Sequence, residues 1–165
     1  MTDRAFRGAA VTAAILFVVM VAASPTGCGG VWTLCTFDAP HLPYGAGTAR
    51  AYLAALPAGA LWRYLWIVQV LDLVFPALLC LTLRAAFARW APAALARPLS
   101  KLAVLTAGTD YLENALIRVM LKNPEGFPDI VATGASLLTL AKWLLLALLF
   151  GALVRFWRGQ RRAPR

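Results

Sequence analysis

Residues 102–121 read LAVLTAGTDYLENALIRVML, an apolar stretch of membrane-crossing length with Asp110, Glu113 and Asn114 near its middle. At ~1.5 Å per residue, about 20 residues of helix cross a ~30 Å hydrocarbon core. A charged side chain at the centre of such a span costs about 2.5–3.5 kcal/mol on insertion scales. The stretch is therefore either a soluble helix or a membrane helix whose acids turn away from lipid. The rest of the chain decides between them. Of 165 residues, 61% are hydrophobic and only 14% charged, which lies outside the soluble range. Three further apolar blocks run over about 6–24, 61–83 and 129–154. Backbone groups in lipid must be satisfied within the chain, and no alternating pattern points to a barrel. The reading is all-α: one integral membrane domain over 1–165, built as a four-helix bundle.

The net charge of +9 is unevenly distributed. Arg4 and Arg7 precede the first block, and Arg84, Arg89, Arg97 and Lys101 separate the second from the third. Arg155, Arg158, Arg161, Arg162 and Arg165 follow the fourth. With four crossings, eleven of the sixteen basic residues fall on one side. Arg50, Arg63, Arg118 and Lys122 fall on the other, partly offset by Asp38, Glu125 and Asp129. This asymmetry predicts cytoplasmic N and C termini in a bacterial inner membrane. The basic tail over 155–165 then serves orientation and contacts anionic lipid headgroups. Membrane lipids are the expected partners and nucleic acid is not; the pattern leaves the oligomeric state open. The start, MTDRAFRGAAVTAAILFVVMVAAS, also has the layout of a signal peptide, but Pro25 disfavours cleavage, so an uncleaved first helix is expected.

The outer loop over 25–60 is rich in Gly and Pro. It holds Cys28 and Cys35, which could close a small disulfide loop in an oxidising exterior. Cys80, inside the second block, reads as a small apolar residue. Farther along the loop, GTARAYLAAL places Tyr52, Leu53 and Leu56 on one helical face, with Thr48 as its cap. A short interfacial helix that seals the bundle's outer end follows. His41 has no partner histidine and reads as a solvated side chain; no metal site and no cofactor are expected. Trp32, Trp62, Trp66, Trp90 and Trp157 fall near helix ends, as interfacial anchors do.

Asp72 lies at the centre of the second block, Asp110 and Glu113 straddle the centre of the third, and Lys142 lies at the centre of the fourth. Three helices thus carry their ionisable groups at one height. Residues three or four apart share a helix face. Gln69, Asp72 and Pro76 make one stripe; Thr106, Asp110, Glu113, Asn114 and Ile117 a second; Ala135, Thr139 and Lys142 a third. Facing lipid, four charges would cost on the order of 10 kcal/mol, comparable to a domain's whole stability. The stripes are therefore expected to converge inside the bundle. Three carboxyls against one lysine leave a formal −2. Protonation, a bound cation, a cationic ligand or an inward-reaching Arg118 could balance it. Pro76 removes a backbone hydrogen bond beside Asp72 and breaks the helix at that level.

FDAPHLPYG, the Asp-x-x-Phe-Pro of DLVFP, the Asp-x-x-Glu-Asn of DYLEN and the Lys-Trp of TLAKWLLL together resemble a group of small bacterial four-helix membrane proteins. The resemblance covers about residues 37–150 and implies the architecture and the polar site, with no reaction attached. A fainter similarity is to the EXPERA four-helix fold, whose sterol isomerases and sterol-binding relatives place acids in a central membrane cavity; their intramembrane histidine has no counterpart here. Three functions stay open on the residues. The polar layer of Gln69, Asp72, Asp110, Glu113, Asn114, Thr139 and Lys142 could bind, and even transport, a small amphipathic, lipidic or cationic ligand. It could instead lock helix packing in an accessory subunit. Or a protonated and an ionised carboxyl could form an acid–base pair acting on a lipid.

Overall fold

The computed structural model describes residues 2–25, 36–39 and 43–162. They form five helices: α1 (Asp3–Ala23), α2 (Ala46–Ala55), α3 (Ala60–Trp90), α4 (Ala93–Lys122) and α5 (Asp129–Arg162). No strand occurs among the described residues. By length and composition α1, α3 and α5 can each cross a membrane. The 30 residues of α4 are long enough, but Asp110 and Glu113, with Lys101 or Arg118 close by, interrupt its apolar run. Those two acids are buried against other helices, so the feature that lowers the hydropathy of α4 is not presented to its surroundings.

The helices outrun the apolar blocks, chiefly at the basic end. α3 continues past Arg84 to Trp90, α4 begins at Ala93 and α5 reaches Arg162. Hydropathy ends a block at the first arginines, whereas Ala, Leu and Arg are strong helix formers that extend the coil beyond it. Inside α3, Tyr64–Val68 form a π-helical turn in which the Gln69 N–H bonds back to the Tyr64 carbonyl. The extra residue brings Tyr64 and Gln69, five apart, onto the inward face together. Gly59, at φ 76°, supplies the left-handed turn into α3 that a residue with a Cβ adopts only with strain.

α3 packs against α1 and α4, and α4 packs against α5. Gly134 permits the close approach of α4 and α5: a Cβ there would stand 3.1 Å from Leu116 Cδ1. At one end of the bundle Arg89 binds Asp3 at 3.0 Å and lies over Phe6, whose ring meets Trp90 edge-on. Gln160 donates to the Arg89 carbonyl at 3.1 Å. The start of α1 and the end of α5 therefore share this end, with the basic residues around them. At the opposite end Arg50 of α2 pairs with Asp129 at 2.7 Å.

The opposite, loop end is closed by the first loop. Thr36 and Phe37 are buried there, Phe37 fully, among Tyr44, Tyr52 and Tyr64. Irregular backbone this deep is tolerated because protein, not lipid, surrounds it. α2 turns Ala49, Tyr52 and Leu53 inward onto the same cluster, with Leu56 partly buried against it. Its N-cap is Gly45, three residues before the expected Thr48, which is exposed within the helix. Gly45 takes the extended conformation of the cap itself, and burial of Ala46 and Ala49 carries the helix start past Gly47. Cys28, Cys35, Trp32 and His41 lie outside the described residues. Cys80 is a buried free thiol in an apolar cluster with Leu83 and Phe87.

Candidate functional site

The inward stripes of α3, α4 and α5 meet. Gln69, Asp72, Asp110, Glu113, Asn114, Thr139 and Lys142 are all buried, with Asp72 2% and Glu113 0% exposed. Lys142 Nζ stands 3.2 Å from Asp110 Oδ1 and 2.5 Å from Glu113 Oε2, so one ammonium bridges two carboxylates a helical turn apart on α4. Thr139, one turn before Lys142, donates to Glu113 Oε1 at 2.5 Å. The Asn114 amide lies between the remaining acids. Its oxygen accepts from Gln69 Nε2 at 3.3 Å, and its nitrogen reaches Asp110 Oδ1 at 3.5 Å and bonds Asp72. Asp72 has no ion-pair partner among the described residues; the Asn114 amide is its hydrogen-bond partner.

A fourth carboxyl joins from the loop, and the sequence reading had placed it outside. The Tyr64 hydroxyl accepts from the Phe37 N–H at 2.9 Å and donates to Asp38. The Trp143 ring N–H donates to the Asp38 carbonyl at 2.9 Å. Thr139 is also within 3.2 Å of the Phe37 carbonyl, and Ser136 accepts from the Tyr44 N–H at 2.8 Å. Thus Tyr64, Ser136, Thr139 and Trp143 hold the loop at the depth of the charged layer. Four carboxyls now face one lysine, a formal −3 rather than −2. Arg118 does not relieve it, because its guanidinium stacks on Trp66, 5.5 Å from the ring centroid, on the bundle's outer face. Outside the long helices, burial first and then the charges of Glu113 and Asp38 push the Tyr44 phenol well above its ordinary pKa. Burial and Asp38 do the same to Tyr52, so both remain neutral hydroxyls.

The expected helix break at Pro76 does not occur: α3 continues through the proline, and the Tyr111 hydroxyl of α4 donates to the Leu73 carbonyl at 2.9 Å, clipping the two helices together just before it.

The charged layer forms the head of a cavity of about 660 Å³. Asp38, Asp72, Asp110, Lys142 and Trp143 line that head. From there an apolar slot runs toward the basic end between α1, α3 and α5, past Phe17, Leu79, Leu146 and Phe150 to Phe6 and Trp90. A larger depression at the basic end, about 970 Å³, is shallow and lined by Arg155, Arg158 and Gln160, with none of the buried acids. Among the described residues no three or more His, Cys, Asp or Glu side chains are grouped to hold a metal ion.

Sequence reasoning found the three inward stripes but missed Asp38, Tyr64, Ser136 and Trp143. For two of these a signal existed. Ser136, Thr139 and Trp143 recur at three, four and seven residues, one continuous helix face. No family model, curated protein or solved structure matches this chain.

Proposed function

We propose that the chain crosses a bacterial inner membrane four times with both ends cytoplasmic, and that its buried polar site binds a small amphipathic, lipidic or cationic ligand. The cavity carries this reading: a charged head continuous with a long apolar slot suits a molecule with one polar end. The bundle's charge distribution supports the orientation, since the shared end of α1 and α5 is the arginine-rich one. A pure packing lock has its own support in the Lys142 bridge, which ties α4 to α5. A lock gives no reason for an Asp72 without an ion-pair partner at the head of an apolar slot.

The test is to purify the protein with native lipids and compare what co-elutes, by mass spectrometry, with Asp72→Asn, Glu113→Gln and Ala10→Phe. Ala10 lines the slot far from the charges. A species present in wild type and lost in Asp72→Asn and Ala10→Phe is the expected result. Unchanged profiles accompanied only by lower thermal stability would leave the lock as the better account.

A further inference from the structure

The slot's dimensions and charge narrow the ligand class, on the reading that the slot is a binding site. Its length follows from the helices that line it. Met20 to Phe6 on α1 and Asp72 to Trp90 on α3 span about 21 and 27 Å at ~1.5 Å per residue. A volume of about 660 Å³ over about 24 Å is long and wide enough for an alkyl tail.

The head is electronegative. Asp38, Asp72 and Asp110 face it with Lys142, and Lys142 is already committed to Asp110 and Glu113. Asp72, 2% exposed, lines the cavity with an amide as its partner and no cation. A buried carboxyl without a counter-ion is held protonated, and an ammonium delivered into the head lets it ionise as one half of a pair. A phosphate or carboxylate head would add negative charge to the same volume.

Access is lateral. α1 packs on α3, while its far side exposes Val11, Ile15, Val18 and Val21. The slot lies where α1 and α5 diverge, so an amphiphile can enter from the bilayer without crossing the α2 seal. Its orientation also fits. Trp62 and Trp66 are 60% and 50% exposed near the loop end, as interfacial anchors are, and Asp72 lies about 9 Å deeper along α3. A head at Asp72 with its tail toward Trp90 has the polarity of an outer-leaflet lipid, sunk by that distance.

We infer that this chain takes up an amphiphile with a cationic amine head, entering between α1 and α5, whose ammonium pairs with Asp72 while its apolar tail fills the slot toward Trp90. The probe is hexadecylamine brominated along its chain, added to the full-length protein in phosphatidylcholine nanodiscs. Brominated hexadecanoic acid serves as the comparison. Bromine quenches nearby indoles, and the Trp143 signal is isolated by difference against Trp143→Phe. The expected result is quenching by the amine at about tenfold lower membrane content than by the acid, the scale of one charge-assisted hydrogen bond. The preference should vanish in Asp72→Asn and persist in Asp72→Glu, which retains the charge. Equal quenching by amine and acid in the wild type would overturn the head assignment and leave the slot as a site for another amphiphile. If Trp143 is quenched no more than the membrane-exposed Trp66 by every probe, the slot is not a binding site and the functional reading falls with it.

Discussion

Lys142→Met isolates the central electrostatic claim, because methionine retains most of the lysine stem and deletes only the charge. In the folded protein this ammonium is 5% exposed and holds Asp110 at 3.2 Å and Glu113 at 2.5 Å. Its loss leaves four carboxyls around one dry volume with no cation. Removing one partner of a buried ion pair destabilises by about 3–5 kcal/mol, chiefly because the other charge is stranded. Membrane proteins can re-pair polar groups in their unfolded state, which places this site toward the lower end of that range. Against a domain stability of about 5–15 kcal/mol, a loss near 3 is readily measured. The assay is reversible denaturation in mixed micelles with dodecyl sulfate, followed by circular dichroism, for wild type, Lys142→Met, Glu113→Gln and the double variant. Neutralising Glu113 should restore part of the loss, with a coupling energy of at least about 1 kcal/mol, as expected for groups in contact. A Lys142→Met variant within about 0.5 kcal/mol of wild type, the usual span of surface changes, would refute the buried-pair argument. Strict additivity with Glu113→Gln would do the same.

Tyr64→Phe removes the hydroxyl that serves both the Phe37 N–H and Asp38; stranding a buried donor should cost about 1–3 kcal/mol in the same denaturation experiment. Arg50→Ala breaks an exposed ion pair worth about 1 kcal/mol or less together with a 3.0 Å hydrogen bond to the Phe127 carbonyl and stacking on the Phe127 ring, so about 1–2 kcal/mol is expected, and a loss above about 3 kcal/mol would mean that Arg50, not Tyr52 and Leu53, holds α2 to the bundle. For Tyr44 and Tyr52, folding raises the phenol pKa, so their contribution is complete below the unfolded value of about 10 and is lost as pH rises above it. Ultraviolet difference titration should show these two ionising together with unfolding and not before it. Membrane-impermeant thiol labelling of intact cells should modify Gly126→Cys and spare Gly159→Cys in a Cys-free background; the reverse pattern would invert the proposed orientation.

The inward stripes were legible because burying charge in an apolar helix is so unfavourable that only one face is tolerable, and helical spacing identifies that face. Asp72, Asp110, Glu113 and Lys142 therefore sit where periodicity put them. Tyr64 was hidden because it precedes Gln69 by five residues, a spacing that shares a face only across a π-helical turn, and no residue type in YLWIV announces one. Asp38 was hidden for a different reason. A loop's depth is set by long-range contacts, here Tyr64, Thr139 and Trp143, twenty-six to more than a hundred residues away in sequence. Helix ends were missed in a third way: arginines stop hydropathy but do not stop helices.

The division of labour among the helices separates a lock from a site. α3, α4 and α5 exchange the polar contacts: Gln69 with Asn114, Asp110 and Glu113 with Lys142, and Thr139 with Glu113. Those contacts account for register among three helices and need nothing from α1. Yet α1 contributes six apolar side chains to the slot and no polar group to the cluster. If the polar layer served packing alone, closing α1 onto α5 would bury more surface and eliminate the void, since interiors otherwise approach crystal density. The void instead persists beside Asp72, which makes no ion pair with the layer's lysine. Packing and charge are incomplete at the same place, and an amphiphile with a positive end completes both.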